Sequence, residues 1–388
     1  MSLSSSKRIY FVDFARSFAI MLALMDHSMN DFHIWENYSL QTFTVLKVMT
    51  TSATPTFILL FGMMLEIIYL GKLRKVGMRQ TAAGLINRSF QCYIGYFLTV
   101  VAGVIGGYQS LKSAVAATFF LGNCHFGNIL KLYTLLLIIA IPFLWFRNRY
   151  GIWWTVLLGC SPWLLYPFFQ FIPPLQNNIE IFTTYVFGFG DQGGPSIMLG
   201  MTMVSIGMLA ASFISFQNPK KFTWNTAGIL SVLIVGVVLV FSFVPVSVLH
   251  YNHTRNVYRD HNHPIYYLFS STLGLTVAWL SSFLIPIGSH IAKATHTFLA
   301  FGRSSLTAFT VGNIILNLTF SYLALYHWNE LAPITFVICV FLVLQFYEKI
   351  YPRLAIVKSI QAFFRGVTVR YHWFYVRRLS NVFVRTLG

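Results

Sequence analysis

Four polar residues interrupt one apolar segment near the start of the chain: Asp13, Arg16, Asp26 and His27. Ionisable side chains inside an apolar helix are expensive and mark functional sites by default. Read as a helix, the interval between Arg16 and His27 is three turns plus roughly 20°, so the two share a face about 16 Å apart. Asp13 stands one turn before Arg16 on a neighbouring face, within reach of pairing. A histidine at one end of such a helix can serve as general base for an arriving hydroxyl. An arginine some distance along the same face can hold an anionic or carbonyl-rich ligand. Their separation is about the length of an extended pantetheine arm, so one helix could position both ends of an acyl thioester lying across a membrane. Asp26 or Asp31 could orient the imidazole, as carboxylates commonly do. The plainer alternative is an interfacial histidine and an arginine reaching for the headgroups.

Other charges lie in apolar surroundings. Glu66 and Arg88 are expected near the same membrane face, where they could pair, and Lys131 is expected to snorkel outward. Lys47 falls in a polar, irregular-looking stretch, Thr42–Thr56, a candidate re-entrant or gating segment. The cluster Lys72, Arg74, Lys75, Arg79 and Arg88 suits the phosphates of a nucleotide-like donor; simple topology charge explains it equally well. A later loop gathers His250, His253, His261 and His263 with Tyr251, Tyr258, Arg255 and Arg259. It reads as a carbohydrate- or headgroup-binding loop or as a solvated one; its spacing fits no standard metal pattern. The glycine-rich run at 188–195 lacks the Lys-Ser/Thr ending of a phosphate loop. It reads as a lid over an acceptor, with Asp191 or Glu180 as polar contacts.

The elements that must carry these residues follow from composition. Of 388 residues, 56% are hydrophobic and only 10% charged, yet Lys plus Arg exceed Asp plus Glu by 27 to 10. A net charge of +17 in a soluble chain would point to nucleic acid. Here too few polar groups remain to cover a soluble surface, which also excludes disorder and coiled coil. An all-α polytopic membrane protein is left. Ten apolar runs approach span length: Ile9–Ser28, Ser52–Leu70, Ala82–Gly106, Gly127–Phe146, Ile152–Phe171, Ser196–Phe216, Thr223–His250, Ile265–Ser289, Thr297–Leu325 and Leu331–Tyr351. Their continuity disfavours a β-barrel. With ten spans, the Lys/Arg-rich loops fall on one side and most Asp and Glu on the other, which places both termini in the cytoplasm. That orientation puts Arg16 in the cytoplasmic half and His27 at the outer end.

Residues 1–351 are expected to form the transmembrane domain. Residues 352–388 read as a basic, aromatic tail lying on the cytoplasmic leaflet, with membrane lipid as partner. No secretory signal is expected, because Asp13 and Arg16 interrupt the first apolar run. No inverted repeat of the transporter kind stands out. The four cysteines form no framework or zinc pattern. Trp153, Trp154, Trp163, Trp224, Trp328 and Tyr96 are explained by aromatic belts.

Four stretches, in order, resemble one family. Arg16-(ten residues)-His27, preceded by Arg8 and Asp13, is similar to the first-helix signature of the transmembrane acyltransferase superfamily. That superfamily includes acyltransferase-3 proteins, OpgC-type glucan succinyltransferases and heparan acetyltransferase-like families. Pro55-Thr-Phe-Ile-Leu-Leu-Phe-Gly62 resembles its second span. Asn128-Ile-Leu-Lys-Leu-Tyr133, with Pro142 further on, resembles an OpgC-type segment. Phe301-Gly-Arg-Ser-Ser-Leu-Thr-Ala-Phe309 resembles the opening of a late span. There are departures. The Arg-x-x-Arg pair of acyltransferase-3 proteins is absent, Arg74, Lys75 and Arg79 being the nearest substitutes, and Gly312 stands where a histidine is often found.

The resemblance implies transfer of an acetyl or succinyl group from cytoplasmic acyl-CoA, a donor substrate and not a bound cofactor, to a hydroxyl of an extracytoplasmic glycan. His27 carries over as catalytic, with Arg16 and Asp26 beside it and Asp13 and Asp31 in support. Arg74, Lys75, Arg79, Arg88 and Arg303 are the candidate acyl-CoA contacts; Asp191, His250 and His253 are the candidate acceptor-side contacts. No metal and no nucleic acid is expected; a homo-oligomer is compatible, and a bacterial inner membrane is the expected location. The rival readings are a glycan or lipid transporter using the same buried charges and a non-catalytic scaffold.

Overall fold

The structure is a computed structural model. It describes residues 9–37, 40–169, 171–172, 178–189, 194–214, 219–286, 297–323, 325–326 and 328–350. All regular structure among these residues is helical. The long helices are α1 (Tyr10–Asp31), α2 (Leu40–Thr51), α3 (Ala53–Met64), α4 (Gly71–Ile105), α5 (Asn128–Tyr150), α6 (Ile152–Phe169), α7 (Ile197–Ser212), α8 (Pro219–Phe243), α9 (Pro264–Leu284), α10 (Ser305–Leu323) and α11 (Leu331–Ile350). A π-helical turn, Leu65–Leu70, joins α3 to α4. Gly77 breaks α4 with φ +81°, a conformation open to glycine because it has no Cβ.

A helix lies on each of the ten apolar segments. Five helical runs are long and apolar enough to cross a bilayer: Val45–Ile105, Asn128–Tyr150, Lys220–Phe243, Pro264–Leu284 and Ser305–Leu323. Ile197–Ser212 and Leu331–Phe346 are shorter apolar helices. The chain is therefore a multi-pass helical membrane protein. The tail at 352–388 and Asp191 lie outside the described residues.

α1 runs through the middle of the bundle, packed by α3, α9, α10 and α11 and by the short helix Ala300–Arg303. Phe11, Ala15, Ala19, Ile20 and Leu24 give it a buried face. α3 is nearly all buried and crosses α7 closely. Gly62 of α3 meets the backbone of Val204, and Gly207 of α7 meets the backbone of Leu59. Small residues permit such approach, and in lipid this packing takes the place of a hydrophobic driving force. α8 is the opposite case: Val232, Val235 and Phe243 are well exposed, as a lipid-facing helix requires.

Several expectations are corrected here. Glu66 does not pair with Arg88. Arg147 makes two bonds to it, Nη2 to Oε1 at 2.6 Å and Nε to Oε2 at 3.1 Å, because α5 packs against the π turn and α4 turns Arg88 outward to Gln91. Lys131 does not snorkel. It is fully buried, donates from Nζ to the Gly122 carbonyl at 3.1 Å and lies 4.1 Å from the centre of the Tyr185 ring. Tyr96 is buried away from any belt, its hydroxyl donating to the Ala117 carbonyl. The described part of Thr42–Thr56 is helical apart from a turn at Ser52, whose hydroxyl donates to the Met49 carbonyl.

A buried ion pair is most destabilising when only one partner is removed. Arg147→Met should lower stability by about 3–5 kcal/mol, and adding Glu66→Met should recover much of the loss. Thermal unfolding of the single and double variants in detergent measures it; an additive double variant contradicts the pairing.

Candidate functional site

His27 sits near the end of α1, stacked on Phe126 at 4.0 Å between ring centres and edge-on to Phe309 at 5.7 Å. Its Nδ1 is 2.8 Å from Oδ1 of Asn313 on α10. The Asn313 amide is itself oriented, since its Nδ2 donates to the Phe126 carbonyl at 3.1 Å. Oδ1 can only accept, so Nδ1 of His27 carries the proton. Nε2 then keeps its lone pair and bonds to no described residue, which is the arrangement of a base. One turn on, Asn317 donates to the His125 carbonyl at 3.2 Å and to the Asn313 carbonyl at 2.9 Å. Both asparagines are fully buried. They strap the loop Cys124–Gly127 against α10, with Phe126 held at φ +56°.

The two carboxylates expected to orient His27 are engaged elsewhere. Asp26 accepts from Lys47 Nζ at 2.9 Å and from the Thr50 hydroxyl at 3.0 Å. Lys47 and Thr50 lie on α2, which packs against α1, so the polar stretch serves to neutralise Asp26. Asp31 is buried and takes His125 Nε2 at 2.7 Å. His125 is sandwiched between Tyr108 and Phe126, each 3.8 Å from it centre to centre. A stack therefore runs Tyr108, His125, Phe126, His27, and Asp31 anchors it.

Arg16 lies at the other end of the α1 face. Its Nη1 is 3.5 Å from Asp13 Oδ1 and 3.5 Å from the Gly302 carbonyl. The Gly302 amide in turn donates to the Ser17 hydroxyl at 2.7 Å, which fixes Ala300–Arg303 against α1. Arg16, Arg88, Tyr69, Tyr133 and Ser305 line a cavity of about 180 Å³. His27 lines two others, of about 210 Å³ and about 70 Å³. The Arg16 cavity and the larger His27 cavity share three wall residues: Phe57, Ile129 and Phe309. The rings of Phe57 and Phe309 are 6.1 Å apart, edge to face.

Of the expected donor contacts, Arg16 and Arg88 come together at one cavity. Arg74, Lys75 and Arg79 are exposed around the Gly77 break, where Arg74 Nε reaches Asn148 Oδ1 at 3.4 Å. Arg303 is half-buried beside Ser305 and outside the set lining that cavity. On the acceptor side, His250 and His253 lie on the helix Val246–Thr254, and the side chain of His253 is outside the described set. The residues that this loop contributes to the His27 cavities are Asn252, Asn256, Tyr258 and Arg259. Burial works against the charge of Arg259, but Asp260, whose carboxylate is 2.9 Å from its Nε, together with Tyr266 and Asp26 outweighs that effect, and its pKa is raised. Among the described residues no three His, Cys, Asp or Glu side chains gather as a metal cluster.

Sequence reasoning missed Asn313 and Phe126, and it named Arg259 only as a member of the histidine loop and Phe309 only as the end of a motif. For Asn313 and Asn317 a signal existed: two amides four residues apart in an apolar helix have to be satisfied somewhere.

Fold and site together define a helical membrane protein with a half-buried arginine and an oriented histidine on facing sides of an apolar wall. A family model described as OpgC protein matches residues 8–111, which hold both Arg16 and His27. The match supports an OpgC-like family over that stretch. No curated protein and no solved structure matches the chain.

The tautomer can be measured directly. In histidine-selective 15N NMR, His27 should show a protonated Nδ1 and an unprotonated Nε2. Asn313→Leu should abolish that preference; an unaltered signature would remove Asn313 from its orienting role.

Proposed function

We propose that this protein is a membrane O-acyltransferase with ten spans and cytoplasmic termini. It moves an acetyl or succinyl group from cytoplasmic acyl-CoA to a hydroxyl of an extracytoplasmic glycan. The observation that carries this reading is the shared wall. An Arg16-lined cavity and a His27-lined cavity meet at Phe57, Ile129 and Phe309, so a donor held from one side has only one layer of side chains to pass to reach the base. The OpgC-like match over residues 8–111 supports it independently. A bacterial inner membrane is the location that goes with such an acceptor.

In this reading Arg16 and Arg88 bind the phosphate or carbonyl groups of the donor arm, as arginine forks do. His27 Nε2 takes the proton of the acceptor hydroxyl as its oxygen attacks the thioester carbonyl. The C–O bond forms, the C–S bond breaks, and the imidazolium returns its proton to the departing thiolate. Asn313 keeps Nδ1 protonated and the ring in place throughout. Transfer by way of an acyl-histidine is the variant path, and labelled enzyme trapped without acceptor would reveal it.

Removal of a general base typically lowers rate by 10²–10⁴-fold. His27→Ala should abolish acyl transfer to a loss of about that size while expression stays normal, measured with purified protein in proteoliposomes and labelled acyl-CoA. Arg16→Ala should weaken acyl-CoA binding in the same preparation. Retained transfer in His27→Ala would remove His27 as the base, and wild-type protein that binds no acyl-CoA would instead favour a transporter.

A further inference from the structure

A group of cations stands at one end of the bundle, away from the site: Arg74, Lys75, Arg79 and Arg149, all exposed. None of them lines the Arg16 cavity or the His27 cavities. α5 is long enough to cross a bilayer, so its last turn, with Arg149, stands at the membrane surface. α4 brings the others to the same corner. Gly77 bends it so sharply that Lys72 Nζ comes over Gly84, 2.9 Å from where a Cβ would stand. The turn before the bend reaches α5, where Arg74 Nε donates to Asn148 Oδ1 at 3.4 Å. The nearby carboxylate, Glu66, is taken by both arms of Arg147. No described carboxylate stands within ion-pair distance of the four exposed cations.

Charge that only sets topology needs no built surroundings, and these residues have them. Arg149 lies 5.2 Å from the centre of the Trp145 ring and 5.7 Å from that of Tyr150. Those rings belong to one cluster. Tyr150 packs on Trp154 at 4.9 Å, and Phe146 stacks on Tyr150 at 6.2 Å and on Trp154 at 5.5 Å. Gly151, at φ +82°, lets α6 begin one residue after α5 ends, which returns Trp154 to the last turn of α5. Trp153 faces outward and is 78% exposed. A guanidinium laid on rings is weakly hydrated and keeps its planar fork available to a phosphate. Tryptophan and tyrosine rings settle at headgroup depth. A soluble phosphate has no use for such rings, whereas a lipid phosphate arrives with glycerol and acyl chains that can lie along them.

We propose that this corner is a docking site for an anionic glycerophospholipid. Its phosphodiester is received by Arg74 and Arg149, and its chains lie along the rings of α5 and α6. Lys75 and Arg79 add attraction toward the same headgroup. The site is separate from the cavities at Arg16 and His27, and it stands whether or not the protein transfers acyl groups.

The test uses the full chain purified in a neutral detergent and titrated with phosphatidylglycerol or phosphatidylcholine, with inorganic phosphate as competitor. Bound lipid is counted by native mass spectrometry, and thermal unfolding gives the affinity, since a ligand of the folded state raises the transition. Wild type should bind phosphatidylglycerol roughly ten-fold more tightly than phosphatidylcholine, and an excess of inorganic phosphate should not displace it. Each basic residue at an anionic surface contributes roughly five-fold in affinity, so Arg74→Gln with Arg149→Gln should weaken phosphatidylglycerol binding about 25-fold. Trp145→Leu, which keeps every charge, should weaken it by a smaller factor. Lys220→Gln with Lys221→Gln, which removes two exposed lysines at the start of α8, should leave it nearly unchanged. Equal affinity for the two lipids overturns the proposal, because the corner is then an ordinary lipid-facing surface. Equal losses in the two double variants overturn it in favour of net charge alone. Displacement by inorganic phosphate overturns it in favour of a soluble anion.

Discussion

One amide governs the site. Asn313 accepts from His27 with its oxygen and donates to the Phe126 carbonyl with its nitrogen. Neither bond is negotiable in an apolar bundle, where an unsatisfied polar group costs about 1–3 kcal/mol and an alternative partner is absent. The pair of bonds fixes the imidazole tautomer, the loop that stacks on it and the register of α10 against α1. One turn later Asn317 adds a second strap with its nitrogen alone, donating to the His125 and Asn313 carbonyls, and Asp31 closes the arrangement through His125. The geometry of the base is thereby a property of three elements far apart in sequence.

Much of the architecture was legible because lipid forbids alternatives. Long apolar runs have to be helices, and helices lie where the ten runs were read. Arg16 and His27 stood out because charge inside such a run demands a reason. What could not be read was pairing. Glu66 chose Arg147 over Arg88, and Asp26 chose Lys47 over His27, since the partner depends on which helices pack together. Periodicity along one chain holds no record of that. Lys131 shows the same limit: its burial depends on the Gly122 carbonyl and the Tyr185 ring, supplied by a loop and a short helix. Polar spacing alone also drew attention to the histidines of the 246–263 loop, while the residues it delivers to the cavities are two amides, a tyrosine and an arginine.

Both ends of the α1 face are held by directional bonds. The asparagine straps, the stack Tyr108–His125–Phe126–His27 and the bond from the Ser196 amide to Asn262 hold the His27 end. At the Arg16 end, contacts of 3.5 Å to Asp13 and Gly302 stand beside the 2.7 Å bond from the Gly302 amide to Ser17.

The wall of Phe57, Ile129 and Phe309 has an electrical meaning. In the proposed topology the two cavities bring water-accessible space toward each other from opposite faces, so the low-dielectric barrier shrinks from the thickness of a bilayer to that of a few side chains. A transmembrane voltage drops mainly where the dielectric is low, and moving one charge through the full field is worth about 2.3 kcal/mol per 100 mV. Most of that work would be concentrated on three residues. In the proposed reading, the same thin insulator that lets an acyl group reach His27 also has to stop protons from following it.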